Sequence, residues 1–164
     1  CMAASTDGLE MSPGNTVNGV KNPYLTSSEW GWQTDPIGLR ISLVELYDRF
    51  RKPLFIVENG LGAHDTLTED GKVHDPYRIE YLKEHVKAMS DAINIDGVDL
   101  LGYTWWGCID LISESTRQMS KRYGFVYVDL DDEGHGTYKR YRKDSFYYYK
   151  KLIAANGNVD AVEE

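Results

Sequence analysis

The feature that most limits how this chain can fold is an alternation of helical and strand patterns that contains only two buried strands. Residues 54–57 form a run of four large apolar residues that ends at Glu58, and a second strand pattern covers residues 98–106. Such continuous apolar runs are typical of parallel strands covered on both faces. A sheet of two strands would leave open edges and an uncovered apolar face. We therefore predict that these strands belong to a larger sheet or barrel that another segment completes.

Three helical patterns alternate with these strands. Asp35-Pro36 and Asp75-Pro76 each combine an N-cap residue with a proline at the first helical position, and Asp144-Ser145 starts a third helix that stops near Gly157. Apolar residues at spacings of three and four predict apolar stripes on the three helices. They are Leu39, Leu43, Leu46 and Phe50, then Ile79, Leu82, Val86, Met89 and Ile93, then Phe146, Tyr149, Leu152 and Ile153. The order helix, strand, helix, strand, helix is typical of an α/β fold with parallel strands.

The remaining segments are predicted to be connections. Residues 1–28 are rich in Gly, Ser, Thr, Asn and Pro and have no sustained period, so we expect a long loop excursion there. Residues 123–129 and the turn-forming residues 131–136 predict a β-hairpin.

Charge and cysteine content exclude several classes of partner. The formal net charge of −8 would repel nucleic acid and anionic membranes, and no run approaches the roughly 18 apolar residues that a membrane span needs. The two cysteines, Cys1 and Cys108, are too few for a disulfide framework and are typical of a reducing compartment. We therefore expect a cytoplasmic protein with no nucleic-acid or membrane partner.

The carboxyl ends of the two predicted strands are the expected place for a ligand, because parallel α/β folds bind ligands there. This rule selects Glu58 and residues 105–110. Glu58 fits a nucleophile or a general acid/base held on a rigid strand end. On pattern alone it fits equally well a strand-end glutamate that points into solvent.

Tryptophans form two clusters, Trp30-Gly31-Trp32 and Trp105-Trp106. Their flat apolar faces can stack on the C–H face of a sugar, and they can equally pack in a core. Their position beside glycine and at strand ends favours a binding site only modestly.

Five motifs, in their order along nearly the whole chain, resemble those of glycoside hydrolase family 1. They are Trp30-Gly31-Trp32 with Pro36, Gly38 and Leu39, then Phe55-Ile56-Val57-Glu58-Asn59-Gly60, Asp75-Pro76-Tyr77-Arg78, Gly102-Tyr103 with Trp106, and Lys121-Arg122-Tyr123-Gly124. The resemblance implies a (β/α)8 barrel. It places residues 1–164 in the C-terminal part of that single catalytic domain, around strands seven and eight, as a fragment that is incomplete as a stand-alone barrel.

The resemblance also implies the chemistry of a retaining glycosidase, with Glu58 as the nucleophile. Such enzymes need two carboxyl groups about 5–5.5 Å apart, one to attack the anomeric carbon and one to protonate the leaving group. In the family the acid/base lies in an Asn-Glu-Pro motif after strand four, and the Arg and Tyr that position the nucleophile also come from earlier strands. No Asn-Glu-Pro occurs in this chain, so we expect the isolated chain to be inactive. The family needs no cofactor, and His64, His74, His85 and His135 do not form a metal spacing.

Ser113 indicates which sugar the family resemblance favours. Ordinary β-glucosidases of this family carry a glutamate at the position that Ser113 occupies. That carboxylate would repel a phosphate on the sixth oxygen of the sugar, whereas a hydroxyl can donate a hydrogen bond to it. Family members that act on 6-phospho sugars carry Ser, Lys and Tyr, and Ser113, Lys121 and Tyr123 match this set. We expect Lys121, with help from Arg122, to supply positive charge to the phosphate, and Glu114 to point away from it.

These matches predict a 6-phospho-β-glucosidase acting on phosphorylated cellobiose or aryl glucosides. Trp106 resembles the aromatic floor under the sugar and Trp30 the platform on the aglycone side. Trp32 and Trp105 are expected to pack in the core or behind the residues that contact the sugar. A plain β-glucosidase, a 6-phospho-β-galactosidase and a non-catalytic α/β binding module remain alternatives. The expected partners are the phosphorylated β-glucoside, the missing N-terminal part of the barrel, and other copies of the fragment through self-association at its open sheet edges.

Overall fold

The computed structural model describes residues 22–163. Over this range the chain forms α1 (Pro36–Phe50), β1 (Leu54–Asn59), α2 (Pro76–Asn94), β2 (Leu100–Trp105), β3 (Val126–Val128), β4 (Arg140–Arg142), α3 (Asp144–Ala154) and α4 (Asp160–Glu163). The three predicted helices, the two strands and the hairpin are confirmed. The short helix α4 follows the expected stop at Gly157 and is too brief to show a periodic pattern. Most of the predicted loop excursion over residues 1–28 lies outside the described residues.

The two buried-strand patterns pair with each other in parallel. Leu54 lies opposite Leu100 and Asn59 opposite Trp105, with two register irregularities between these ends. Within residues 22–163 no third strand joins this sheet. Phe55 is therefore 51% exposed and Val57 70% exposed, although both belong to a strand with an apolar pattern. The prediction of an incomplete α/β sheet is confirmed.

Two clusters of apolar side chains hold the helices against the sheet. One lies between α2, β2 and α3, with Leu82, Trp105 and Leu152 at its centre, and the other packs α1 on α2 through Leu43 and Met89. The stripe predicted for α1 is only partly buried, because Leu46 and Phe50 remain 46% and 56% exposed. Ile93 of α2 and Ile153 of α3 are also exposed, at 42% and 63%, because no element within residues 22–163 covers them.

The capping residues behave differently at the three helices. Asp35 caps α1, since its carboxylate accepts a hydrogen bond of 2.9 Å from the Gly38 amide. Asp75 occupies the N-cap position of α2 without such a bond, and its carboxylate accepts the Ser145 amide (2.9 Å) and hydroxyl (2.6 Å) instead. Lys143, and not Asp144, is the N-cap of α3. The beginnings of α2 and α3 are thus joined by one buried carboxylate.

That carboxylate belongs to a buried ion-pair network of three anions and three cations. Its members are Asp65, Asp75, Asp110, Arg78, Arg122 and Lys143. Arg78 donates to both oxygens of Asp65 at 3.1 and 3.2 Å, and Lys143 bridges Asp65 and Asp110, the latter at 2.7 Å. Because the charges balance, each buried ion has a partner that offsets its desolvation. The network therefore fixes the loop after β1 to the beginnings of α2 and α3.

The pKa of Asp65 makes the stability that this network contributes depend on pH. Burial alone would raise the pKa of Asp65, but Arg78 and Lys143, together with hydrogen bonds from Lys143 and Tyr77, outweigh burial and hold its pKa below the ordinary value of 3.8. A carboxylate whose folded pKa is depressed stabilises the fold above its unfolded pKa. This contribution is lost as the pH falls below 3.8 and through the folded pKa.

We expect Asp65→Asn to lower the free energy of unfolding at pH 7 by about 3–5 kcal/mol, because it leaves Arg78 and Lys143 short of a buried counter-charge. The difference from the unsubstituted protein should narrow as the pH falls below 3.8 and then through the lower pKa of folded Asp65, where that carboxylate itself takes up a proton. Chemical denaturation at both pH values measures this. The control is Asp48→Asn at a surface ion pair with 60% exposure, expected to change stability by about 0.5 kcal/mol or less. Equal losses of unfolding free energy in Asp65→Asn and Asp48→Asn would contradict the stabilising role of Asp65 in the buried ion-pair network.

Candidate functional site

Glu58 lies at the carboxyl end of β1, and its backbone is held by the residue that follows it. Asn59 accepts a hydrogen bond from the Tyr103 hydroxyl (3.1 Å) and donates one to the Tyr81 hydroxyl (3.2 Å), and its carbonyl accepts the Trp106 amide (2.8 Å). The Glu58 side chain is exposed and makes no hydrogen bond or ion pair with any residue of 22–163. The geometry therefore offers a free carboxylate on a fixed backbone. Sequence patterns did not predict these contacts of Asn59, Tyr81 and Tyr103, because the contacts cross between elements.

The chain leaving β1 runs beside the segments that follow β2. Ala63 and Arg122 exchange two backbone hydrogen bonds of 3.0 Å, and the Trp105 indole donates to the Tyr123 carbonyl at 2.7 Å. These contacts bring the end of β1, with Glu58, to the same edge of the sheet as residues 121–123.

Lys121 is the most unusual residue at this edge. It is 1% exposed. Its ammonium nitrogen lies 4.5 Å from the ring centroid of Trp32, 5.5 Å from that of Trp30 and 5.7 Å from that of Tyr123. Within residues 22–163 this ammonium has no hydrogen bond and no ion pair. Aromatic faces attract a cation, but each contributes only about 0.5–2 kcal/mol, which is less than an anion would. We call Lys121 and these three rings the lysine cage, and its charge is suited to an incoming anion.

Ser113 and Tyr123 add two hydroxyl groups to the lysine cage. Their side-chain oxygens are 3.0 Å apart, and the residues are 1% and 3% exposed. Tyr123 thus contacts Lys121 with its ring and Ser113 with its hydroxyl. The structure brings the three residues predicted for the phosphate together in one place.

Arg122 does not take part in this cluster. Its guanidinium donates to the carbonyls of Val128 and Leu130, both at 2.8 Å, and to Asp110 at 3.2 Å. The expectation that Arg122 helps Lys121 is therefore wrong. Arg122 enters the buried ion-pair network, while Lys121 enters the cage. Glu114 is exposed and forms no ion pair with Lys121.

The four tryptophans occupy different environments. Trp105 packs in the core as expected, and Trp106 is 38% exposed beside the end of β1. Trp30 is 9% exposed and donates from its indole to the Gln118 side chain at 3.0 Å. Trp32 is 45% exposed and therefore lies outside the core, with its ring centroid 4.5 Å from the Lys121 ammonium. The turn at Gly31, whose φ is 74°, leaves Trp32 on the open side of the cage.

Two negative findings concern the part of the chain between residues 22 and 163. No three His, Cys, Asp or Glu side chains are grouped there as metal ligands. Its helices are also too short or too polar to cross a membrane.

Comparison with known proteins gives consistent matches. Residues 2–158 match the model of Glycosyl hydrolase family 1. The chain is 62% identical over 158 residues to the aryl-phospho-beta-D-glucosidase BglH of Bacillus subtilis, covering 95% of this chain and 34% of the relative. It is 57% identical over 157 residues to the 6-phospho-beta-glucosidase AscB of Escherichia coli, covering 96% and 33%. The chain therefore spans about a third of the length of these relatives.

The solved structures agree with these matches. A family 1 β-glucosidase from Thermotoga maritima in complex with isofagomine lactam superposes with a TM-score of 0.75 at 36% identity. The superposition covers 85% of this chain and 30% of that one.

Proposed function

Because this chain belongs to glycosyl hydrolase family 1, we propose that it forms the carboxyl-terminal part of a retaining glycosidase that hydrolyses 6-phospho-β-D-glucosides to glucose 6-phosphate and an aglycone. Its high identity to two bacterial enzymes named for phosphorylated β-glucosides supports this substrate class. We also propose that the rest of the barrel covers the exposed apolar side chains of β1. The free, exposed thiol of Cys108 favours the reducing cytoplasm as the location.

One observation carries the choice of a phosphorylated sugar. Lys121 buries an ammonium among three aromatic rings with no carboxylate beside it in residues 22–163. A buried charge without a counter-ion is costly unless a ligand supplies that ion. A phosphate dianion on the sixth oxygen of glucose would pair with Lys121 and accept hydrogen bonds from the Ser113 and Tyr123 hydroxyls.

In the proposed mechanism a carboxylate oxygen of Glu58 attacks the anomeric carbon. The bond from that carbon to the aglycone oxygen breaks as a second carboxyl group, outside this chain, donates its proton to the oxygen. Water then attacks the glycosyl ester and gives its proton to the second group, which releases glucose 6-phosphate and restores Glu58. Trp106 would lie under the sugar ring. Trp30, predicted to lie beside the aglycone, contacts Lys121 together with Trp32, so both rings would lie at the phosphate end of the sugar.

The test compares an aryl 6-phospho-β-glucoside with its unphosphorylated counterpart on the intact enzyme that carries this chain. We expect kcat/KM to be at least about 100-fold higher for the phosphorylated substrate, as a buried ion pair worth about 3 kcal/mol implies. The isolated chain should release no aglycone above background, because it lacks the second carboxyl group. Equal kcat/KM for the two substrates would favour a plain β-glucosidase. Turnover by the isolated chain at enzyme-like rates would place the acid/base within it.

A further inference from the structure

Gly62 is buried directly against the lysine cage and leaves no room for a side chain. A Cβ atom built at this position would lie 2.9 Å from Cε and 3.0 Å from Cγ of Lys121, and 3.0 Å from Cε1 of Tyr123. These distances are shorter than side-chain carbons normally tolerate. Both contacted residues belong to the cluster assigned to the phosphate.

The backbone at Gly62 does not itself require glycine. Its φ lies outside the left-handed region, in contrast to Gly71 at 76° and Gly97 at 73°. The φ angle therefore gives no reason for a glycine at this position. What glycine supplies here is space for the stem of Lys121.

The surroundings leave Lys121 little freedom to give way. The backbone beside Gly62 is fixed to the Lys121 segment by the two Ala63–Arg122 hydrogen bonds of 3.0 Å. The Tyr123 ring is held by its hydroxyl contact with Ser113 at 3.0 Å. Cγ of Lys121 is close to the main chain, so it cannot move far without moving the ammonium. An added methyl group would therefore displace the cation from its place among the rings.

We propose that Gly62 is a specificity-determining residue: its missing side chain lets Lys121 lie flat against the loop after β1, with its ammonium aimed at the sugar phosphate. This inference rests on the proposed function. Gly62 is a positioning residue that acts through Lys121 and does not touch the substrate.

The test is Gly62→Ala in the intact enzyme, assayed on phosphorylated and plain aryl glucosides. We expect the ratio of their kcat/KM values to fall by about 5- to 150-fold, as overpacking worth about 1–3 kcal/mol implies, mainly through KM of the phosphorylated substrate. Inorganic phosphate, titrated by the fluorescence of Trp30 and Trp32, should bind more weakly by a similar factor. Activity on the plain glucoside shows whether the variant is folded.

Two Lys121 backgrounds separate positioning from general damage. In Lys121→Ala, which lacks Cγ and Cε, adding Gly62→Ala should lower the ratio less than about threefold, because two of the three close contacts are gone. In Lys121→Met, which keeps the stem but has no ammonium to displace, adding Gly62→Ala should likewise lower the ratio less than about threefold. An unchanged ratio in Gly62→Ala, an equal loss on both substrates, or the same cost in Lys121→Ala would overturn the proposal. If the unsubstituted enzyme shows no phosphate preference, the proposed function fails first and this inference with it.

Discussion

Glu58→Gln in the intact enzyme is expected to lower kcat by a factor on the order of 10⁶, the effect of removing a covalent nucleophile from a hydrolase. Glutamine keeps the size of the side chain but cannot form the glycosyl ester. The loss should be similar for phosphorylated and plain substrates, because the nucleophile acts on the anomeric carbon and not on the phosphate. Steady-state kinetics on both aryl glucosides measures it.

An exposed glutamate supplies the matched control for this prediction. Glu80→Gln on α2 should change kcat by less than about threefold, since surface substitutions away from a site have small effects. A 2-deoxy-2-fluoro glycosyl inhibitor should label Glu58 in the unsubstituted enzyme. A label on another carboxylate would show that the nucleophile has been assigned to the wrong strand end.

Lys121→Met should lower kcat/KM for the phosphorylated substrate by about 10²- to 10⁴-fold. The substitution keeps the apolar stem but removes the buried cation, and loss of one partner from a buried ion pair costs about 3–5 kcal/mol. The plain glucoside should lose much less, because it brings no anion to the site. The same kinetic comparison measures both values.

Lys139, an exposed lysine of the hairpin, is the control for Lys121. Lys139→Met should leave the ratio of the two kcat/KM values within about twofold. Equal losses on both substrates in Lys121→Met would contradict its role in binding phosphate and would indicate a structural lysine instead.

Local patterns predicted the elements of this fold well, because each depends on residues close together in sequence. The apolar run before Glu58 and the cap-plus-proline pairs define their strand and helices without reference to other segments. The exposure of Phe50 and Val57 could not be predicted in the same way. It depends on which other elements cover them, and period alone carries no such information.

The candidate site was predictable only in its chemistry. Motif resemblance selected Ser113, Lys121 and Tyr123, which lie together in the structure. It could not predict that the Arg122 side chain lies in the buried ion-pair network, or that Trp32 completes the lysine cage. Both placements depend on the direction in which each side chain points. Gly62 carried no signal at all, since its contribution is the space that it leaves free.

The buried ion-pair network has a consequence for how this part of the enzyme can evolve. Its three anions and three cations are linked by shared ion pairs. Removing the charge of any one of them leaves a neighbouring buried charge without its full complement of counter-charge. Selection should therefore remove single substitutions at these six positions. The sequence can change there only when a second substitution restores the charge balance. Among homologous enzymes we expect the six residues to vary together or not at all. The exposed turn residues 131–136 of the hairpin should vary without such a constraint.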